Sequence, residues 1–145
     1  MAINKAESVA AHYPDAIIIG SDQVADLHGS IMGKPESPEA ALSQLRALSG
    51  NELTFYTGLA AIRNATGRTM SCVVTTRVVF RTLSDEKIQR YLKLDEPYNC
   101  AGSFKSESLG STLVESMHSD DPAALIGLPL IRLSLYLEAH GINVP

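Results

Sequence analysis

The 145 residues carry 12 lysines and arginines against 16 aspartates and glutamates, a formal charge of −4, with 45% hydrophobic and 19% charged residues. That length supports one domain with a single buried core, and the composition is that of a soluble globule rather than a disordered segment. A mildly acidic chain without a basic run argues against polymeric nucleic acid or a membrane surface as partner. No apolar run is long enough to span a bilayer and no signal-peptide layout opens the chain, so the expected location is the cytoplasm.

In chain order, Ile3, Ala6, Val9 and Ala10 repeat at helical spacing and Pro14 stops the run, which predicts a helix over 3–13. Lys5 lies beside that stripe, where a lysine is ordinarily solvated or snorkelling. Ile17, Ile18 and Ile19 then read as a strand buried on both faces. Gly20-Ser21-Asp22-Gln23 follows at its carboxyl end, the place where ligands collect in open α/β sheets, and this makes Asp22 the first candidate for chemistry. The plain alternative is an aspartate bonded to its own turn.

His28-Gly29-Ser30 has the composition of a tight hairpin turn, which would return Lys34, held between Gly33 and Pro35, towards Asp22. Lys34 is then either a phosphate contact or an exposed, solvated charge. His28 at the turn tip reads as inert. Ser37-Pro38-Glu39 opens a second helix, with Ala41, Leu42, Leu45 and Leu48 inward and Gly50 at its end. Strands are expected over 53–62 and 70–80, joined by a turn at Asn64-Ala65-Thr66-Gly67, and with the isoleucine strand they make a mixed sheet.

Ser84-Asp85-Glu86 caps a helix that turns Ile88, Tyr91 and Leu92 inward. The stretch from Cys100 to Gly110 is short of large apolar residues and rich in hydrogen-bond donors, the composition of a ligand-reading loop. Lys105 can meet a phosphate and Glu107 can accept from a base edge; both can equally be exposed loop charges. A strand over 112–117 and a helical segment from Pro122, pausing at Gly127-Leu128-Pro129 and ending at Gly141, complete the chain. Asp120 and Asp121 are expected to satisfy helix amides rather than a metal, and the two cysteines, Cys72 and Cys100, show neither metal-ligand nor disulfide spacing.

Taken together, Gly20-Ser21-Asp22-Gln23-Val24, Gly33-Lys34-Pro35, Phe55-Tyr56-Thr57-Gly58-Leu59-Ala60, Cys100 through Glu107 and Gly127-Leu128-Pro129-Leu130 resemble the Maf family of nucleotide pyrophosphatases. Asp22-Gln23 and Phe104-Lys105-Ser106-Glu107 are most similar to its subgroup acting on 7-methyl-GTP. The resemblance implies an α/β, Maf/ITPase-like sheet flanked by helices. It also implies hydrolysis of a modified nucleoside triphosphate to the monophosphate and pyrophosphate, with Asp22 as catalytic base and metal ligand. Lys5, Lys34 and Lys105 would bind phosphate, Gln23 and Glu107 would select the base, and magnesium or manganese would serve as cofactor. A homodimer is a family expectation.

Ser108 stands where relatives often carry glycine. Relatives also carry a strand, a helix and a Ser-x-x-Arg-Arg anion clamp upstream of the position matching Met1, so these elements are expected to be missing here. The alternative reading follows from that: a non-catalytic nucleotide-binding module linked to septum control.

Overall fold

The computed structural model describes residues 1–145. Five strands, Ile18–Leu27 (β1), Ser30–Ile31 (β2), Glu52–Arg63 (β3), Arg68–Phe80 (β4) and Val114–Ser119 (β5), form an antiparallel sheet in the order β2-β1-β3-β4-β5. Four helices flank it: Ala2–Ala10 (α1), Pro38–Leu48 (α2), Asp85–Asp95 (α3) and Leu130–Ala139 (α4). The α/β class is as expected, with antiparallel neighbours throughout where a mixed sheet was anticipated. Two compact units divide the chain. The first comprises Met1–Gln23, Tyr56–Thr75 and Ser119–Pro145, the second Val24–Phe55 and Thr76–His118.

In the first unit, the buried face of α1 is a stripe of Ala2, Ala6 and Ala10, packed with Ala60 and Ile62 and flanked by Ile3 and Ile18. Val9, expected inward, is 41% exposed, because the i, i+4, i+8 alanine row and not the i, i+3 row faces the sheet. Small side chains allow the helix to lie very close. A Cβ added at Gly20 would sit 2.3 Å from the Ala2 carbonyl oxygen, and one at Gly58 would sit 3.3 Å from the Ala2 Cβ. The isoleucine strand runs on to Leu27, so Gly20-Ser21-Asp22-Gln23 lies within it and not beyond its carboxyl end as expected. It is also less buried than its sequence implied, with Ile19 at 42% exposure and Ile18 half-buried. Ile18 packs against the cluster under α1, whereas Ile19 points to the opposite face, as successive strand residues must.

At the far end of this unit, Asp121 is buried and its Oδ2 accepts from the backbone N–H groups of Ile131 (2.8 Å) and Arg132 (3.1 Å). The carboxylate thus satisfies helix amides as expected, but those of α4 and not those of the short 3₁₀ turn Pro122–Ile126 that directly follows it. Along α4 only Leu133 is buried, while Leu130 remains 54% exposed.

In the second unit, β1 and β2 pair as Asp26 with Ile31 and Leu27 with Ser30. His28 (φ 51°) and Gly29 (φ 88°) both take left-handed backbone, the signature of a two-residue hairpin whose twist matches its strands. Ser37 Oγ caps α2 by accepting from Ala40 N at 3.2 Å, and Ser84 Oγ caps α3 through Lys87 N at 3.2 Å. Arg46 of α2 is bonded bidentately to Asp85 at the start of α3 (2.9 and 2.6 Å). Phe104 anchors the loop beyond α3 by packing edge-on to Phe80 (5.2 Å, 70°) and tilted to Phe55 (6.2 Å).

Gly20→Ala is expected to destabilise the protein by about 3 kcal/mol, since the clash is with backbone that cannot rotate away. Gly33→Ala, with nothing within 4 Å of the added Cβ, is expected to stay within about 0.5 kcal/mol. Urea unfolding of the two variants distinguishes this packing account from a merely permissive glycine.

Candidate active site

The first unit positions Lys5, Asp22 and Gln23. Because Gly20 lets α1 lie against β1, the Lys5 ammonium reaches across the strand. It donates to the Ser21 carbonyl (3.3 Å) and forms an ion pair with Asp22 Oδ1. The Asp22 side chain is 16% exposed and that of Lys5 is 54% exposed, so the carboxylate is largely shielded while its cation stays open to solvent. Ser21 Oγ sits between the carbonyl oxygens of Gly58 (2.9 Å) and Gly127 (2.6 Å), pinning the residue before Asp22 to strand β3 and to the end of the 3₁₀ turn Pro122–Ile126 at once.

Gln23 is held differently. Its Nε2 donates towards Thr57 Oγ1 (3.0 Å), the Ala124 carbonyl (3.0 Å) and the Leu125 carbonyl (3.1 Å), while Thr57, fully buried, donates to Ala124 O (2.9 Å). The nitrogen end of this amide is committed to the scaffold, and Oε1 takes no part in those bonds.

The second unit positions Lys34, Lys105 and Glu107. Lys34 is exposed, on a loop whose Pro35 is buried. From Cys100 the chain makes a 3₁₀ turn over Ala101–Ser103, in which Gly102 (φ 66°) and Ser103 (φ 56°) are left-handed. Adding a Cβ at Gly102 would place it 2.9 Å from Leu53 Cδ2. The segment then doubles back at Gly110, whose N–H donates to the Lys105 carbonyl at 3.1 Å and which leaves no space for a Cβ. Glu107 is exposed at the tip of that turn, with Lys105 half-buried at its base. Ser108 sits at φ −127°, so the serine at this position meets no left-handed strain.

Cys100 lies among these charges. Burial pushes its thiol pKa up, and the nearby Glu107 and Asp95 carboxylates add to that, while Lys105 and Lys34 oppose it. The thiol therefore lies in the electrostatic reach of both lysine-bearing loops of this unit.

A metal site made by the protein alone would need several donors, and no group of three or more His, Cys, Asp or Glu side chains comes together. Asp22 is instead a single shielded carboxylate. One carboxylate with substrate phosphate oxygens and waters is a donor set that magnesium takes, so the residues present fit a cation delivered with a nucleotide.

Sequence reasoning passed over Gln44, Tyr91 and Asp95 as polar partners. Tyr91 was read only as core; its hydroxyl in fact donates to Ser103 O (3.2 Å) and accepts from Lys105 N (3.0 Å). No periodicity marks such a role, because a buried ring satisfies the hydrophobic pattern whatever its hydroxyl does.

The match to the Maf-like protein family extends over residues 1–140, and the chain belongs to that family. It is 50% identical over 145 residues to a protein of Aromatoleum aromaticum named 7-methyl-GTP pyrophosphatase, covering all of this chain and 75% of that one. It is 46% identical over 145 residues to a protein of the same name from Pseudomonas aeruginosa, covering 100% and 76%. With another from Nitrosococcus oceani it shares 49% over 144 residues, covering 99% and 72%. No helix is long and apolar enough to cross a membrane.

With Cys72→Ser in the background, Glu107→Gln is expected to lower the pKa of Cys100, because it removes a carboxylate that disfavours the thiolate, and Lys105→Gln is expected to raise it. The pH dependence of alkylation by iodoacetamide reads both shifts. Profiles that do not move would show that neither charge faces the thiol.

Proposed function

We propose that this chain hydrolyses the α–β phosphoanhydride of a modified nucleoside triphosphate, 7-methyl-GTP foremost, releasing the nucleoside monophosphate and pyrophosphate. The observation that carries the reading is the shielded Asp22 carboxylate in the middle of strand β1, with the Lys5 ammonium fixed against it by the close approach of α1. Family membership and the names of the three relatives support it.

In this mechanism Asp22 accepts a proton from water as the water oxygen bonds to phosphorus. The bond from that phosphorus to the bridging oxygen breaks, and pyrophosphate departs with the electron pair. Lys5, already hydrogen-bonding to Ser21 and Asp22, turns part of its charge to the phosphate oxygens, and Lys34 and Lys105 neutralise the rest. A divalent cation, magnesium or manganese by family resemblance, would be held by Asp22 with the substrate phosphates and supplies further charge neutralisation. Glu107 accepts from the N–H groups of a guanine edge and suits the positive charge of a 7-methylated ring, and Gln23 contributes its Oε1. The same reading gives the protein nucleotides, and not nucleic acid polymers or membranes, as partners, and places it in the cytoplasm as a homodimer.

Hydrolysis of 7-methyl-GTP with added magnesium or manganese is expected to fall at least ~100-fold in Asp22→Asn, the scale of losing a general base, with the substituted protein still folded. Turnover within about threefold of the unsubstituted chain would remove Asp22 from the chemistry. Nucleotide binding without any turnover in the unsubstituted protein would favour a non-catalytic binding module instead.

A further inference from the structure

Resting on that reading, we propose that Gln44, Tyr91 and Asp95 are positioning residues that set the selectivity of the site for its base. None needs to touch substrate. Together they form a hydrogen-bonded frame that fixes the Glu107 loop at both ends and ties it to the loop carrying Lys34.

The frame starts on α3. Tyr91 and Asp95 are four residues apart, so they project from one face of the helix, one turn from each other. Tyr91, 3% exposed, accepts from Lys105 N (3.0 Å) and donates to Ser103 O (3.2 Å). Asp95 takes the other side of the tip: Oδ1 accepts from Ser108 Oγ and Oδ2 from Leu109 N (3.1 Å). Only Ser106 and Glu107 lie between the two anchors. Burial holds the Tyr91 phenol above its ordinary range, so it keeps the proton that it donates to Ser103.

Gln44 of α2 joins this loop to the next. Its Oε1 accepts from Ser103 Oγ (2.6 Å) and its Nε2 donates to the carbonyl of Gly33 (3.0 Å), the residue before Lys34. Gly33 O also accepts from Gly102 N (3.2 Å), which closes a small ring of bonds between the two loops. The chemistry at Gln44 calls for an amide, since a carbonyl such as Gly33 O only accepts and the fully buried Ser103 hydroxyl, in a left-handed backbone, needs an acceptor. Glutamate would set a carboxylate against the Gly33 carbonyl, and asparagine is one methylene shorter.

A structural role alone would lower stability and leave the preference among nucleotides untouched. A positioning role moves the preference, because misplacing a recognition group by a fraction of an ångström weakens only the contacts that it makes.

The test uses Gln44→Met and Tyr91→Phe, each of which keeps its side-chain shape and removes the frame's bonds. Two quantities are measured: the ratio of kcat/KM for 7-methyl-GTP to that for GTP, and amide hydrogen exchange at Gly102 and Lys105 in the nucleotide-free protein. The expected result is about a 10-fold fall in the ratio together with at least ~10-fold faster exchange at those amides, with exchange across β3 and β4 unchanged. Unchanged exchange at Gly102 and Lys105 overturns the frame, whatever the activity. Faster exchange with an unaltered ratio, or an equal loss on both nucleotides, overturns its role in selectivity. If the unsubstituted chain does not distinguish the two nucleotides, the functional reading itself fails and the selectivity claim with it, while the exchange data still report on the frame.

Discussion

Backbone proximity between a helix and two strands is the constraint from which the first unit's chemistry follows. Ala2 and Ala6 of α1 face Gly20 of β1, and Ala2 also faces Gly58 of β3, at separations that leave no space for a further methyl group at Gly20 and little at Gly58. A lysine side chain spans only a few ångströms beyond its own helix. Lys5 therefore reaches Ser21 O and Asp22 only because no larger residue holds α1 away. The ion pair is a consequence of the packing, and its energetic contribution is secondary: with Lys5 half exposed, solvent screens much of the attraction.

The second unit reaches order by another route. Its loop from Cys100 to Gly110 has few large apolar residues, and Phe104 supplies most of its hydrophobic anchoring through Phe80 and Phe55. The remainder of the loop is fixed by directional bonds from Tyr91, Asp95 and Gln44, which define position more sharply than dispersion contacts do. Exposed charges such as Glu107 can then be held on a defined backbone without themselves being buried, which would cost them their hydration.

Much of the fold was legible because local signals agreed with each other. Ser37 and Ser84 both cap as their positions implied, the His28-Gly29 turn takes the expected hairpin conformation, and Asp121 satisfies helix amides. The failures concern faces, strand direction and strand extent rather than the existence of elements, as with Asp22, which lies inside β1 and not beyond it. Ile19 and Val9 are apolar residues in regular structure whose direction depends on which neighbour arrives, and that is decided by alanine and glycine, which carry almost no hydrophobic signal. In the candidate site, charged residues next to recognisable motifs could be named from sequence. Gln44 and Asp95 could not, because an amide on a polar helix face and an acid at a helix end look the same whether they bond to solvent or to a loop 59 residues away, as with Ser103 for Gln44, or 14 away, as with Leu109 for Asp95.

The central claim is that the spacing between α1 and the strands sets the geometry at Asp22. Gly58→Ala probes it directly: an added Cβ meets Ala2 Cβ at 3.3 Å, enough to shift the helix by a few tenths of an ångström, and meets the Asp22 backbone carbonyl only at an ordinary contact distance of 3.7 Å. Turnover of 7-methyl-GTP by this variant, measured beside its thermal midpoint, should fall about 10-fold while the midpoint drops by only a few degrees. An unchanged kcat in a protein whose midpoint has fallen would show that the helix spacing serves stability alone.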